Sequence, residues 1–178
     1  MAFYDYWIYS GSNVLAFADY QATINADQRV FEANEGLTSG IIDDLTIRST
    51  ERIISQIGAT DWWRNYWMRM NGGSYDPLIY TAGLLAIPNP DPNLIRDRTA
   101  DFTDLCVYYT LSYYVYPKIA DFSVQDNAER AKIGFFNEKY RSLFLELIND
   151  GSWYDFSNNG TITPQEKMPV RTNIYRVR

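Results

Sequence analysis

Histidine is absent from this sequence, and cysteine occurs once in its 178 residues. Without an imidazole, these residues cannot form a Ser-His-Asp or Cys-His nucleophile, nor a two-histidine zinc site. Because Cys106 is the single cysteine, an intramolecular disulfide and a cysteine-rich metal site are also excluded. This pattern fits a reducing compartment.

Long apolar runs are missing too, since no stretch approaches the roughly 18 apolar residues of a membrane-spanning helix. Residues 1–17 contain no Lys or Arg and are interrupted by Asp5 and Gly11, so we expect neither a secretion signal nor a membrane partner. Acidic residues outnumber basic ones, 22 to 16, for a formal net charge of -6. Attraction of the whole protein to nucleic acid is therefore not expected.

Apolar and aromatic residues are abundant, at 46% and 16% of the chain, which excludes a disordered protein. The pattern predicts a mainly α fold, a small bundle of about four helices in one helical domain at residues 38–150. We expect an N-terminal extension at 1–37, a long Pro-rich loop at 71–96 inside the domain, and a turn with an extended C-terminal docking arm at 151–178.

Four segments have helical spacing of apolar residues. The first is predicted from Ser39 to Ile57 and the second from Asp61 to Met70, with Gly58 as a stop and Thr60 as an N-cap between them. The third begins near Phe102, places Cys106 in the core and ends at Pro117. The fourth runs from Ser123, its predicted N-cap, to Asn149.

One segment fits the twelve-residue calcium loop of EF-hand proteins. The oxygen ligands would come from the side chains of Asp155, Ser157, Asn159 and Glu166 and from the carbonyl of Thr161, with Gly160 at the turn. Thr163 would add a contact through its hydroxyl or a water. Only two of these ligands are charged, so calcium would bind weakly. The alternative is a hydrogen-bonded turn followed by a capping box from Thr163 to Glu166.

Two further patterns have a structural and a chemical interpretation. Trp62, Trp63, Tyr66 and Trp67 lie one helical turn apart in pairs, as in a core or subunit interface, or in a platform for sugars or bases. The pairs Asp43–Asp44 and Asp101–Asp104 offer two carboxylates for a cell-wall hydrolase, although solvated helix faces explain them more simply.

The C-terminal arm is basic and alternates apolar with polar residues. Such a segment is suited to adding to a partner's surface or sheet edge, whereas a solvated terminus is the simpler alternative. The residues expected to dock are Lys167, Val170, Arg171, Ile174, Tyr175, Arg176, Val177 and Arg178.

Several short sequence segments follow one another in a recognisable order along residues 36–178. They are Gly36–Thr38 before the first helix, Arg52–Ile54 within it, the aromatic-rich segment Asp104–Leu111, the segment Leu147–Asp155, and Arg176–Arg178. In this order the chain resembles the head-to-tail adaptor (connector) proteins of tailed bacteriophages. The first 35 residues and the 71–96 connection depart from that pattern.

The resemblance implies a structural virion neck protein without enzymatic activity or a resident cofactor. It implies a homo-oligomeric ring, of about twelve copies, that binds the portal protein and a stopper or tail-completion protein. Double-stranded DNA would pass through the lumen without sequence-specific binding. The protein would be found in the virion neck, and in the host cytoplasm during assembly. A calcium-dependent binding module and a cell-wall hydrolase are the alternative functions.

Overall fold

The computed structural model describes residues 8–10, 14–32, 34, 36–71, 87–121, 123 and 128–167. Over these residues the chain is mainly helical and forms a small bundle, which confirms the predicted fold class. In chain order the elements are β1 (Ile8–Ser10), β2 (Val14–Ala16), α1 (Tyr20–Ala26), α2 (Gln28–Glu32), α3 (Ser39–Ala59), α4 (Asp61–Met70), a 3-10 turn (Pro92–Leu94), α5 (Thr99–Thr110), a π-helical turn (Leu111–Val115), α6 (Tyr116–Ile119) and α7 (Ala128–Asp150).

The N-terminal region contributes to the bundle. Strands β1 and β2 form an antiparallel hairpin with Ile8 opposite Ala16. After them α1 packs on α3 and α5. The Asp19 carboxylate caps α1 by accepting from the Ala22 N–H at 2.6 Å. The predicted extension at 1–37 therefore includes two short helices, whose seven and five residues are too few to show a helical period.

Asp27, just after α1, connects this region to the C-terminal half of the bundle. Its carboxylate accepts hydrogen bonds from the Tyr116 hydroxyl and the Lys132 ammonium. Burial by itself raises the pKa of Asp27, but these two donors hold it below its ordinary value. The charged carboxylate thus joins α1 to α6 and α7.

Helices α3 and α4 form an αα-hairpin. The bounds of α4 agree with the prediction, while α3 continues through Gly58 to Ala59. Thr60 is the N-cap of α4, since its Oγ1 accepts from the Trp63 N–H at 3.2 Å. The one-residue connection makes the two helices turn sharply against each other.

The third predicted helix differs from the expectation at its C-terminal end. It does not stop at Pro117, because α6 begins at Tyr116 and ends at Ile119. The preceding π-helical turn closes with a bond from the Tyr116 N–H to the Leu111 carbonyl, five residues back. Pro117 then occupies the first turn of α6, a position that suits a residue without a backbone N–H.

Helix α7 packs against α5, the π turn and α6. The predicted N-cap, Ser123, lies in a turn where its hydroxyl donates to Asp121 at 2.6 Å, and residues 124–127 lie outside the described residues. Gly151 ends the helix with a φ of 55°, its N–H donating to the Leu147 carbonyl at 3.1 Å. Neither α7 nor any other described helix combines the length and apolar content that crossing a bilayer requires.

A polar seam lies inside the contact between α3 and α5. The hydroxyls of Ser49 and Thr110 are 2.7 Å apart, and Thr50 Oγ1 accepts from the Phe17 N–H at 2.9 Å. Cys106 is fully buried beside this seam, as predicted, and burial raises its pKa to about 11. The thiol therefore packs as a small apolar group and is not a reactive nucleophile.

The close contact of Gly58 with Asn89 is testable by a double-mutant cycle. A Cβ at Gly58 would lie 2.1 Å from Asn89 Oδ1 and 3.3 Å from Asn89 Cα. Alanine otherwise stabilises a helix over glycine by about 1 kcal/mol. We expect Gly58→Ala to lower the free energy of unfolding in the wild type and to raise it in an Asn89→Ala background. Urea unfolding of the four proteins measures this, and an equal effect in both backgrounds would contradict it.

Candidate functional site

The C-terminal segment after α7 is fastened to the end of the Pro-rich connection. Ile95 and Tyr154 form an isolated antiparallel bridge. On either side of it, the Arg96 N–H donates to the Trp153 carbonyl at 3.0 Å and the Asp155 N–H to the Leu94 carbonyl at 2.8 Å. Segments about 60 residues apart in sequence are thereby paired, which fixes where the loop from Asp155 to Glu166 begins.

Asp155 organises the first half of this loop. Its side chain is fully buried. One carboxylate oxygen accepts from the Asn159 N–H at 3.2 Å, and the other accepts from the Gly160 N–H at 2.8 Å. Arg96 Nε lies 3.4 Å from the second oxygen and supplies a compensating charge. The turn has a left-handed residue at Gly160, with a φ of 86°, and glycine tolerates this conformation without steric cost.

Glu166 closes the second half. Only 2% of the residue is exposed, and its carboxylate accepts from the Ser157 N–H and from the N–H and hydroxyl of Thr163, each at 2.7 Å. Burial raises the pKa of Glu166, but these donors outweigh burial and lower it to about 2. The bond from the Thr163 N–H to Glu166 is half of the capping box that the sequence offered as an alternative.

The residues predicted to bind calcium make hydrogen bonds with one another or with the backbone of the loop. Besides the two carboxylates, the Ser157 hydroxyl donates to Asp155 at 3.4 Å, and Asn159 Oδ1 accepts from the N–H and hydroxyl of Thr161. Among the described residues, no group of three or more Asp, Glu, Cys or His side chains is arranged to hold a metal ion. Calcium binding stays a prediction from sequence, and the donors around both carboxylates favour a loop held without a cation.

The end of the loop sets the starting point of the C-terminal arm. Arg69 of α4 donates to the Gln165 carbonyl at 2.9 Å, and Arg96 donates to Asn158 Oδ1 at 3.4 Å. Lys167, which follows the buried Glu166, is exposed. The other residues predicted to dock lie outside the described residues; they are Val170, Arg171, Ile174, Tyr175, Arg176, Val177 and Arg178.

The aromatic residues predicted as a subunit interface belong mainly to the core of this chain. Trp62, Trp63 and Tyr66 are buried, and Trp67 is half-buried against the same core. The Trp62 and Tyr66 rings stack at 5.5 Å, and Trp63 meets Tyr154 edge-on at 4.9 Å. The core interpretation is therefore correct for these three, because the segment after α7 folds back over α4 and covers them.

One carboxylate of each pair considered for hydrolysis makes a structural contact. Asp43 accepts from the Tyr20 N–H at 3.0 Å, at the start of α1. Asp101 accepts from Arg98 Nε at 2.6 Å. Burial and the neighbouring Asp101 raise the pKa of Asp104. These contacts tie two of the carboxylates to the scaffold.

Three arginines at these contacts had no signal in the sequence. Arg69 and Arg96 hold the loop, and Arg98 pairs with Asp101, with Glu146 at 2.5 Å and with Asp150 at 3.7 Å. Their partners lie up to 96 residues away along the chain. Asp101 is only three residues from Arg98, but the other partners reach their arginines only when α7 and the C-terminal segment fold back onto the bundle.

Glu166 predicts a defined pH dependence. Its pKa is about 2 in the folded protein, against an ordinary value of 4.5, so its stabilisation is complete above about pH 5 and is lost as the pH falls through 2. We expect Glu166→Gln to lower the melting temperature at about pH 6 and to narrow its gap to wild type at about pH 2.5. Glu138→Gln, on the exposed face of α7, serves as the matched charge control. A gap that does not change with pH would contradict this role.

Calcium titration tests the loop in a second way. Because N–H donors and Arg96 already satisfy the carboxylates of Asp155 and Glu166, we expect neither millimolar calcium nor a chelator to shift the melting temperature. A rise with calcium that disappears in Asp155→Asn would show instead that the loop rearranges around the ion.

Comparison with known proteins identified no relative of this chain. No protein-family model, no curated protein and no solved structure matches this chain. Inferences about function therefore depend on the contacts described above and on the resemblance carried by the order of its sequence segments.

Proposed function

We propose that this chain is a structural subunit of a bacteriophage neck, a ring-forming head-to-tail adaptor that binds the portal and the next neck or tail protein. The observation that carries the proposal is the anchored start of the basic C-terminal arm. Glu166 is buried in the closed loop, Arg69 holds Gln165, and Lys167 follows at the surface. An arm that begins at a fixed point can search only a limited volume, which reduces the entropy lost on docking.

The composition of the arm supports a docking role. Residues 167–178 contain four basic and no acidic residues, whereas residues 1–166 contain twelve basic and 22 acidic ones. The arm therefore contrasts in charge with the bundle that bears it, and its alternating apolar residues match the two faces of an added strand. Main-chain hydrogen bonds would give affinity, and the arginines would favour an acidic edge on the portal.

Because Trp62 and Trp63 are buried within the chain, the contacts between subunits of the proposed ring must be made by other residues. Phe135 and Leu145 of α7 are 53% and 60% exposed, although both are large apolar side chains. Large apolar residues that become buried between subunits contribute much of the energy of an interface. In the proposed ring, α7 is the surface that meets a neighbouring copy.

The charge of the bundle is consistent with DNA passage. With the arm bound to the portal, the rest of each subunit has an excess of ten acidic residues over basic ones. A ring of such subunits would repel the phosphate backbone, so DNA would pass through the lumen without being held.

The mass of the complex with the cognate portal tests the proposal. We expect the full chain to add to the portal as a stoichiometric ring, and a chain ending at residue 167 to lose most of its binding. A triple variant should bind the portal more weakly, and its binding should depend less on salt; its substitutions are Arg171→Gln, Arg176→Gln and Arg178→Gln. Lysine at the same three positions should retain much of the affinity and of the salt dependence. Mass photometry of the mixtures measures each case.

Ring formation has its own variant and control. Leu145→Glu should prevent the ring but leave binding of a single copy to the portal. Asp44→Asn, at an exposed position of α3 rather than on α7, should leave both intact. A full chain that stays monomeric with the portal, under conditions where the portal is assembled, would overturn the adaptor proposal.

A further inference from the structure

A surface groove lies between α3 and the π-helical turn, away from the C-terminal loop. Its volume is about 490 Å³, within the range of small-ligand sites. Helix α3 contributes one face to it, with Arg48, Glu51, Arg52 and Ser55. The opposite wall consists of Tyr109, Tyr113 and Tyr114. The groove therefore combines two guanidinium groups, a carboxylate and three phenol rings.

The π-helical turn explains why three tyrosines share this wall. In an α-helix, Tyr109 and Tyr113 lie on one face and Tyr114 turns away from it. Because π-helical hydrogen bonds join residues five apart, the turn at Leu111–Val115 brings Tyr114 back beside Tyr109, with ring centroids 5.9 Å apart. Such turns are frequent at functional sites in helices.

The tyrosines present a stacking surface at the mouth of the groove. Tyr109 is 5% exposed and stacks on Tyr113 at 4.4 Å, with 20° between the ring planes. Tyr140 packs edge-on against Tyr109 at 5.1 Å from behind. The outer ring, Tyr113, is 42% exposed. A rigid inner ring thus supports an outer ring on which a planar ligand can stack.

The two arginines are placed to bind an anion. Arg48 and Arg52 lie one helical turn apart, and the charge of Arg52 opposes the rise that burial causes in the pKa of Tyr109. No carboxylate of the described residues is within ion-pairing distance of either one, in contrast to Arg98 with its three partners. Guanidinium groups bind phosphate through paired hydrogen bonds.

We propose that this groove binds a nucleotide, with the base stacked on Tyr113 and the phosphate held by Arg48 and Arg52. A nucleotide supplies both groups in one compact unit. Glu51 and Ser55 add hydrogen-bond acceptors for an amino group on the base. The carboxylate of Glu51 also disfavours a ligand that is anionic throughout, such as an acidic peptide. The inference is independent of ring formation and of the C-terminal arm.

Isothermal titration of the full chain with nucleoside 5′-monophosphates tests this site. We expect the nucleotides to bind more tightly than the nucleosides or inorganic phosphate alone, since each of these lacks one of the two contacts. Tyr113→Leu should lower the affinity about tenfold through lost stacking. Arg48→Gln with Arg52→Gln should lower it by at least as much and reduce its dependence on salt.

Matched variants separate binding from folding. Tyr113→Phe keeps the ring and should retain the affinity, and Arg141→Gln removes an exposed arginine from α7 and should change nothing. A short single-stranded oligonucleotide provides the second arm of the test. Tighter binding than the mononucleotide assigns the site to a strand, and equal binding assigns it to a free nucleotide.

Three results would overturn the proposal. The first is that neither mononucleotides nor the oligonucleotide bind at millimolar concentration. The second is binding that is unchanged in both Tyr113→Leu and the double arginine variant. The third is a hexaglutamate peptide binding as tightly as the nucleotides, which would make the groove a site for acidic peptides.

Discussion

The buried side chain of Trp153 joins the C-terminal segment to α4 and α5. The indole is fully buried and packs on Trp62 at 5.2 Å and on Phe102 at 4.9 Å, so it joins α4 to α5. Its ring N–H donates to the Leu147 carbonyl at the end of α7, and its backbone carbonyl accepts from Arg96. One residue thereby satisfies a helix end, fills the core and directs the chain back over the hairpin of α3 and α4. A tryptophan can do this because it has a large apolar area and a single donor that must find a partner when buried.

The loop after Trp153 illustrates how a metal-binding pattern and a hydrogen-bonded loop can share a sequence. Both need short oxygen-bearing side chains at alternating positions and a glycine at the turn. In this chain the oxygens of Asp155 and Glu166 face backbone N–H groups, and a guanidinium group stands beside Asp155. The depressed pKa of Glu166 reflects the same donors. A loop closed in this way transmits the rigidity of the bundle to the residue at which the arm begins.

The bundle also places two surfaces of different chemistry on different elements. Helix α7 exposes Phe135 and Leu145, which suits contact with another protein. The π turn gathers tyrosines against the arginines of α3, which suits a small ligand with a ring and a phosphate. The extra residue of the π turn changes the direction of the side chains without breaking the helix, and it lets the helix continue past Pro117.

The class of the fold, the bounds of α4, the Thr60 cap and the burial of Cys106 could all be predicted from the sequence. These features depend on contacts within a few residues or on a helical period, so local physics decides them. Three features could be seen only in the folded structure: the burial of Trp62, Trp63 and Tyr66 in the core, the pairing of Arg69 and Arg96 with the C-terminal loop, and the tyrosine groove. Each of these requires segments far apart in sequence to meet, and no local pattern encodes which distant segment covers an aromatic face. Helices α1 and α2 belong to the same group, because elements this short are stabilised by packing against the bundle rather than by their own propensity.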